Sequence, residues 1–554
     1  MIKTKKTTSQ YLFLLVILFV SFFLRFYRLK HNIPSLYSDE FGHLQLLNIL
    51  QQPLNLSNLL NKITYLPFTF TWLFGLTVFG IRFGVAFFGS LIPIFVFFFV
   101  KALDRKNIQV ALISSALTAV LPWSFMISKG AYTHIPLITI FTLIHLTLFI
   151  KAKRPIQYLV SLVPLFFATI YYPSMIVISA LAIPFYVYYI YNQARTKKQR
   201  QLILTISFVF FLAIIGILFT KYGGLTNKSR GVSLVITNDI NVTAETNLYR
   251  GYSQKTSPSI FSFGLPTEKI ANRVLYNFPS AVVRQFTETY LSFFSPEFLF
   301  LTGDHVLRHS TNQFGAFLPV LLPFMIYGTF MFFGKAKKKN KWLLLFWMII
   351  SPVPAAITND GARYLLRAIT LMPILTYLSA MGIVSFISLF RARIKIIVSV
   401  ITFSLVLFSA YSFFFGYFHV YPTLSAQSYE YGFKELSDFQ TKNGNQPLLV
   451  LWEDSYPNSY FRYYQKTDLK KNIEYQKKEI VIGDSVFIQT FDNLYFSWPK
   501  SKKDLDLFLQ KYQVTQVAFP KTYLLNNPQY KLLNTQSIEH ILFPDQSTAF
   551  TIFY

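Results

Sequence analysis

The chain has 554 residues, of which 53% are hydrophobic, 18% aromatic and only 14% charged, a balance that excludes a water-soluble globular protein and describes a polytopic membrane protein. Its formal charge of +28 does not indicate a nucleic-acid partner: residues 420–554 carry 14 Lys+Arg and 14 Asp+Glu, so the excess lies in clusters between apolar runs, as the positive-inside rule produces. With no cysteine, disulfides, thiolate metal sites and cysteine nucleophiles are excluded.

The first apolar run, Tyr11 to Tyr27, follows Lys3, Lys5 and Lys6 and has no small-residue cleavage site, so it reads as a retained span with a cytoplasmic N-terminus. The stretch Tyr37-Ser38-Asp39-Glu40-Phe41-Gly42-His43 then falls outside. Residues 1–419 hold only ten Asp+Glu, and Asp39 and Glu40 alone among them are neighbours. Solvated loop charge is the ordinary reading of such a pair. Arg25, Arg28 and Lys30 upstream, with aromatic and glycine residues downstream, favour instead a site at the membrane surface, where an exposed acid can act as general base on an acceptor hydroxyl.

Further apolar runs near spanning length lie at 83–100, 108–127, 135–150, 156–171, 174–192, 202–220, 313–333, 342–357, 364–390 and 396–418, which with the first makes eleven. Tyr65 to Phe79 is left out on parity. The clusters Lys101/Arg105/Lys106, Lys151/Lys153/Arg154, Arg195/Lys197/Lys198/Arg200, Lys335/Lys337/Lys338/Lys339/Lys341 and Arg391/Arg393/Lys395 all face the cytoplasm only if that segment lies in the membrane plane or re-enters. The expected fold class is therefore a polytopic α-helical membrane protein of about eleven transmembrane helices over residues 1–419, with a first outer loop at 30–64 and a long outer loop at 221–312. An extracytoplasmic α/β domain follows over 420–554, with a helix at Tyr429 to Gln440, a strand at Leu448 to Trp452, a helix capped by Ser501 and a strand at Val514 to Phe519.

Ser38-Asp39-Glu40-Phe41-Gly42 after the first span resembles the first-loop acidic motif of the GT-C superfamily of membrane glycosyltransferases, as in protein O-mannosyltransferases and aminoarabinose transferases. The in-plane segment, then Gly80-Ile81-Arg82-Phe83-Gly84 leading into a span, then Leu121-Pro122 and Ser128-Lys129-Gly130, are similar in order to that family over about the first 135 residues; beyond them the likeness is one of architecture. The resemblance implies a polyprenyl-phosphate-linked sugar donor, transfer outside the cytoplasm and a catalytic carboxylate in the first loop, Asp39, assisted by Glu40. The chain departs from the family where a His-Pro-Pro or Lys-Pro signature is replaced by Lys62-Ile63-Thr64-Tyr65-Leu66-Pro67, and where a basic-plus-acidic pair is replaced by Lys129 and Thr133-His134.

Two later constellations add candidates. Ser295-Pro296-Glu297 and Gly303-Asp304-His305-Val306-Leu307-Arg308-His309 precede the eighth span. Asp304, His305 and His309 have the donor types for a divalent metal, but loop histidines are ordinarily surface groups, and a structural or acceptor-shaping loop is the preferred reading. Tyr65, His134, Asp304, Arg308 and His309 are the substrate-shaping candidates. In Asn359-Asp360-Gly361-Ala362-Arg363-Tyr364-Leu365-Leu366-Arg367, a helix starting at Arg363 would put Arg363 and Arg367 on one face, with Asp360 neutralising one of them. Interfacial snorkelling is the plain reading of these arginines, and donor phosphate-binding is the sharper one, shared with Arg82 and Lys129. Tyr171-Tyr172-Pro173-Ser174 reads as a tight outer turn.

The expected activity is inverting sugar transfer from a polyprenyl-phosphate donor to a hydroxyl on a protein, lipid or glycan acceptor, without cofactor or metal, amid membrane lipids. A polysaccharide polymerase or ligase, or a lipid-linked sugar flippase, are the alternatives. A transporter should carry ionisable groups at mid-depth in its spans, whereas here they gather at span ends.

Overall fold

The computed structural model describes residues 2–45, 55–65, 70–105, 107–131, 134–222, 234–255, 274–335, 338–453, 456–465, 478–491, 493–526 and 538–554. Leu66, Pro67, Lys106, Thr133 and Lys337, singled out above, lie outside the described residues, as does the side chain of His43. The chain divides into two compact units, one of Met1–Tyr27, Pro53–Pro67 and Arg82–Phe415, the other of Arg28–Gln52, Phe68–Ile81 and Gly416–Tyr554.

The first unit is helical. Among the described residues five helices are long and apolar enough to cross a membrane: Val78–Leu103, Ser174–Tyr191, Lys197–Lys221, Leu365–Ile387 and Arg393–Ser425. Shorter apolar helices stand at Gln10–Phe26, Ile108–Val120, Ile135–Lys151, Pro155–Tyr171 and Pro319–Gly334. Several are broken where the sequence withdraws a donor. Pro122 ends the helix Ile108–Val120 and restarts it as Pro122–Met126. Helix Leu322–Lys335 packs against Met372–Ile387 through two glycines: a Cβ on Gly328 would meet Leu378 O at 1.9 Å and one on Gly382 would meet Phe324 O at 1.8 Å. Such close backbone approach replaces the hydrophobic driving force that is absent between helices in lipid.

The segment Tyr65 to Phe79 forms no continuous helix among its described residues: Leu56–Tyr65 ends at its start, Thr71–Phe74 is a single turn, and Val78–Leu103 begins inside it. Residues 80–84, expected to lead into a span, already belong to that last helix. The segment 221–312 carries helices Ile240–Lys255 and Phe278–Ser292 among its described residues, the latter capped by Asn277 accepting from Ser280 N. Its strip at Leu234–Ile236 hydrogen-bonds to Ile357 and Asn359, beside Asp360.

The second unit is built on a sheet that has seven strands among the described residues, in the order β2-β3-β4-β1-β5-β7-β6. The strands are β1 (Leu448–Leu451), β2 (Lys478–Ile482), β3 (Ser485–Phe491), β4 (Leu494–Ser497), β5 (Gln516–Pro520), β6 (Ile538–Leu542) and β7 (Thr548–Phe553). The central strands β4, β1 and β5 are parallel and wholly buried, and the outer pairs are antiparallel. The expected Ser501 cap is present, its hydroxyl accepting from Asp504 N at 3.1 Å at the head of helix Lys502–Tyr512. That helix packs Phe508 flat on Phe487 at 3.9 Å. The helix expected from Tyr429 starts only at Phe433, because Glu430 (φ 53°) and Gly432 (φ 112°) are left-handed and break it.

Candidate active site

The acidic pair lies in the second unit, on a 3-10 helix, Ser38–Gln45. At three residues per turn, neighbouring side chains diverge by about 120°, and the pair splits accordingly. Glu40 is fully buried and accepts Tyr37 N on Oε2 at 3.0 Å, while Asp39 is exposed. Phe41 anchors the turn by its edge-on contacts with Tyr460 (4.6 Å) and Tyr463 (5.6 Å). Tyr460 hydroxyl lies 2.9 Å from Leu36 O and also reaches Glu430, whose second oxygen takes the Tyr456 hydroxyl. Burial, then the Glu430 charge, push the Tyr460 phenol far above its ordinary range, so it stays a neutral donor. Asn32 Nδ2 donates to Tyr417 O at 3.0 Å. The first loop is thus fixed to residues some four hundred positions away, with Glu40 and Phe41 as its anchors and Asp39 as the carboxylate presented outward.

The candidate phosphate ligands lie in the first unit. Lys129 is 2% exposed, and its Nζ donates to Arg25 O and Tyr27 O, each at 3.0 Å, closing the C-terminus of the first helix. Desolvation lowers its pKa well below the ordinary lysine value, and the nearby charges of Arg25 and Arg82 lower it further. Arg82 is fully buried within Val78–Leu103. Arg25 was noted in the sequence only as a flanking charge. It is completely buried and bonds Ser21 Oγ (2.8 Å), Ser124 Oγ (2.8 Å), Ala119 O (3.1 Å) and Ser128 Oγ (3.2 Å), stitching the first helix to the Ile108–Met126 region. The serines at 124 and 128, one turn apart, were the available signal.

Arg363 and Arg367 do not share a helix face as expected. Arg363 is left-handed (φ 55°), and the helical run begins only at Leu365. Arg363 pairs with Glu297, and its backbone N donates to Ser292 Oγ at 3.1 Å. Arg367 takes both oxygens of Asp360, Nη2 at 3.0 Å from Oδ2, and lies over the Tyr364 ring at 4.4 Å, so Asp360 does neutralise one of the two. Tyr171-Tyr172-Pro173-Ser174 makes the expected turn between Pro155–Tyr171 and Ser174–Tyr191.

Asp304 is fully buried, and its carboxylate is spent on the chain itself: Oδ1 accepts Val306 N (2.8 Å), and Oδ2 accepts His309 Nδ1 (2.9 Å) and Leu365 N (2.8 Å). His309 is buried with its ring edge-on to Tyr364, whereas His305 is half-exposed, 3.5 Å from Asp304. Among the described residues no three His, Cys, Asp or Glu stand close enough to hold a metal ion. Arg308 is partly buried in the same loop. Tyr65 ends the helix Leu56–Tyr65, and burial raises its phenol. That helix is tied to Tyr171, whose hydroxyl donates to Ile63 O at 3.1 Å and whose ring meets His134 at 5.6 Å. Tyr65 and His134 therefore belong to one cluster, and Asp304, His309 and the Arg363–Arg367 turn to another. A further network escaped the sequence: Trp347 Nε1 donates to Tyr186 hydroxyl (2.8 Å), which meets His145 Nε2 (2.6 Å), while His145 Nδ1 meets Ser161 O (2.6 Å).

No protein-family model matches the sequence, and no curated protein matches it. Among solved structures the chain is similar to the archaeal oligosaccharyltransferase AglB from Archaeoglobus fulgidus in complex with an inhibitory peptide and a dolichol-phosphate, with a TM-score of 0.49 at 12% identity over 95% of this chain and 70% of that one. It is similar to ArnT from Cupriavidus metallidurans bound to undecaprenyl phosphate, with a TM-score of 0.48 at 10% identity over 99% of this chain and 98% of that one. The apo Archaeoglobus fulgidus oligosaccharyltransferase gives 0.47 at 13% identity over 92% and 69%. Likeness at this level does not identify a family, and the function is argued from the chain's own residues.

Proposed function

We propose that the protein is a membrane glycosyltransferase that moves a sugar from a polyprenyl-phosphate donor to an acceptor hydroxyl on the non-cytoplasmic side, with inversion. The observation that carries this reading is the division of labour in the acidic pair: Glu40 is buried as the anchor of a short turn, and Asp39 is exposed on it. An exposed carboxylate held on a short anchored turn is suited to take a proton from an acceptor hydroxyl. The acceptor oxygen attacks the anomeric carbon, the bond from that carbon to the phosphate oxygen breaks, and the electron pair leaves with the lipid phosphate. The diester's single negative charge becomes the monoester's two, so the leaving group needs cations and not a proton. Arg363 and Arg367 are proposed to supply them, with Arg82 and Lys129 holding the surrounding structure in register.

The eleven-span topology, the cytoplasmic N-terminus and the extracytoplasmic C-terminal region belong to the same proposal. Under it the acid pair faces away from the cytoplasmic sugar-nucleotide pool, which is why a lipid-linked donor is preferred. The transporter reading would need an ionisable group available at mid-span. His145 is such a residue by position, but both ring nitrogens are occupied.

Purified protein and a radiolabelled polyprenyl-phosphate sugar test the proposal. Transfer, or slow hydrolysis without acceptor, supports it. Asp39→Asn should lower turnover by about two to four orders of magnitude, the usual worth of a general base, with donor binding kept. Near-normal turnover in that variant removes the central assignment.

A further inference from the structure

The second unit has a cavity of about 400 Å³ that the reaction above does not use. It opens at the carboxyl ends of the parallel strands β1 and β5, where Trp452 and Pro520–Thr522 continue the strands, and its far wall is the β6–β7 turn with the start of β7. Open α/β sheets place their ligands at this end of their parallel strands. The volume is within the ~300–1,000 Å³ range of small-molecule sites.

The lining has two parts. One is aromatic: Trp452 is half-buried, edge-on to Phe433 at 5.0 Å and tilted against Phe550 at 6.3 Å, so that its indole is braced by two rings that line the same cavity. The other is a rim of fixed polar groups. Glu430 is held in the left-handed conformation, and its carboxylate is pinned by the Tyr456 and Tyr460 hydroxyls. Asp545 across the cavity accepts Ser547 N at 2.9 Å; its bonds with Ser547, and secondarily the Lys521 charge, keep it ionised below the ordinary aspartate range. Carboxylates fixed in direction beside a braced aromatic surface suit a ligand with a C–H face and a rim of hydroxyls that both donate and accept.

We infer that this cavity is a saccharide-binding site, with a pyranose ring stacked on Trp452 and its hydroxyls bonded to Glu430 and Asp545. A peptide is less well served, because the polar groups of the lining, Lys521 and Gln427 as well as the carboxylates, are side chains and not the backbone of a sheet edge. Val420 and Leu424 on the cavity wall are exposed apolar residues, so a sugar carried on a lipid and a free glycan can both be accommodated. The site is connected to the Asp39 turn, since the Tyr460 hydroxyl stands within reach of both Glu430 and Leu36 O and its ring supports Phe41. Its service as the acceptor subsite rests on the transferase reading; the binding itself does not.

Saturation-transfer NMR on the full chain in nanodiscs tests the site, with methyl glycosides of mannose, galactose, glucosamine and galacturonic acid as free probes and the same sugars on a short-chain lipid as the second arm. Transfer to the ring C–H protons of at least one sugar is expected, and it should weaken by about tenfold in Trp452→Leu and in the exposed-site variant Asp545→Asn, the worth of one stacking surface or one charged hydrogen bond. Tighter binding of the lipid-linked probe alone assigns a glycolipid, and equal binding assigns a free glycan. Asp39→Asn should bind the sugar as wild type does; if it abolishes transfer while binding persists, the saccharide site stands whatever becomes of the reaction. Absence of sugar binding in both arms, binding unaffected by both cavity variants, or displacement by a serine-rich peptide alone would overturn the inference.

Discussion

Removing the Asp304 carboxylate should loosen the whole turn that carries Arg363 and Arg367. Asp304 accepts three hydrogen bonds, from Val306 N, His309 Nδ1 and, 61 residues away in sequence, Leu365 N. Asp304→Asn keeps the shape but has one acceptor oxygen. Placed at the Oδ2 position that oxygen preserves two bonds, and the new amide then points its hydrogens at the Val306 N–H. One charge-assisted bond is lost, at about 1.5–3 kcal/mol, and the other two lose their charge assistance, so a total near ~3–4 kcal/mol is expected. His309→Ala removes one donor and leaves the carboxylate two, so it should cost less, and the double variant should fall short of the sum by roughly 1–3 kcal/mol. Thermal unfolding of the detergent-solubilised protein reads the stability, and limited proteolysis between residues 302 and 312 reads the loop. If Asp304→Asn melts with wild type and its loop is cleaved no faster, the carboxylate is not the clamp that its geometry indicates.

Lys129 gives a pH signature. Its folded-state pKa is depressed from the unfolded value of 10.5, so between the two values the unfolded chain binds more protons, and stability should rise as pH is raised toward 10.5. Lys129→Met should flatten that rise in thermal melts at pH 7 to 10, and an unchanged slope would assign it to other groups. For topology, single cysteines in this cysteine-free chain should label from outside intact cells at Ser38 and at Tyr431, and not at Asn107; labelling of the last would sink the eleven-span arrangement.

The parts of the fold legible in the sequence were those set by local chemistry. Apolar length marks helices, five of which among the described residues are long and apolar enough to cross a membrane, although the expected span 342–357 is interrupted after Ile350; Ser501 marks a helix start, and Pro173 after paired tyrosines marks a turn. The hairpin β2–β3 was also legible in principle: Ile482-Gly483-Asp484-Ser485 is a two-residue turn signal between alternating strands, and Gly483 has the left-handed φ of 56° such a turn needs. What escaped depends on long separation. Nothing near Leu36 announces Tyr460, yet that contact makes the first loop part of the sheet unit. Likewise the acid pair was visible as a pair, but its division into buried Glu40 and exposed Asp39 follows from a 3-10 turn whose anchors come from the other end of the chain. The Arg363–Arg367 spacing misled because one left-handed residue is enough to cancel an i,i+4 relation.

The arginines themselves pose the sharpest remaining choice, between a phosphate ligand and a structural clamp, and Asp360 decides it. In the resting protein Asp360 occupies the Arg367 fork, and Thr358 Oγ1 takes a further bond from Nη1. A lipid phosphate that uses the fork must displace this carboxylate, and it pays for the exchange in affinity. Asp360→Asn removes the competing charge while leaving an amide oxygen in place. If the fork serves phosphate, that variant should bind a polyprenyl phosphate more tightly, by about tenfold for one charge-assisted bond no longer surrendered. Arg367→Lys should then weaken binding by a similar factor, because a point charge cannot grip two oxygens. If Arg367 is a clamp, both variants should instead lower thermal stability and leave lipid affinity alone, since each breaks the same partly buried pair. Opposite shifts in affinity for Asp360→Asn and Arg367→Lys are possible only when the ligand and the carboxylate compete for one guanidinium, so the two variants measured together with a fluorescent polyprenyl phosphate separate recognition from support.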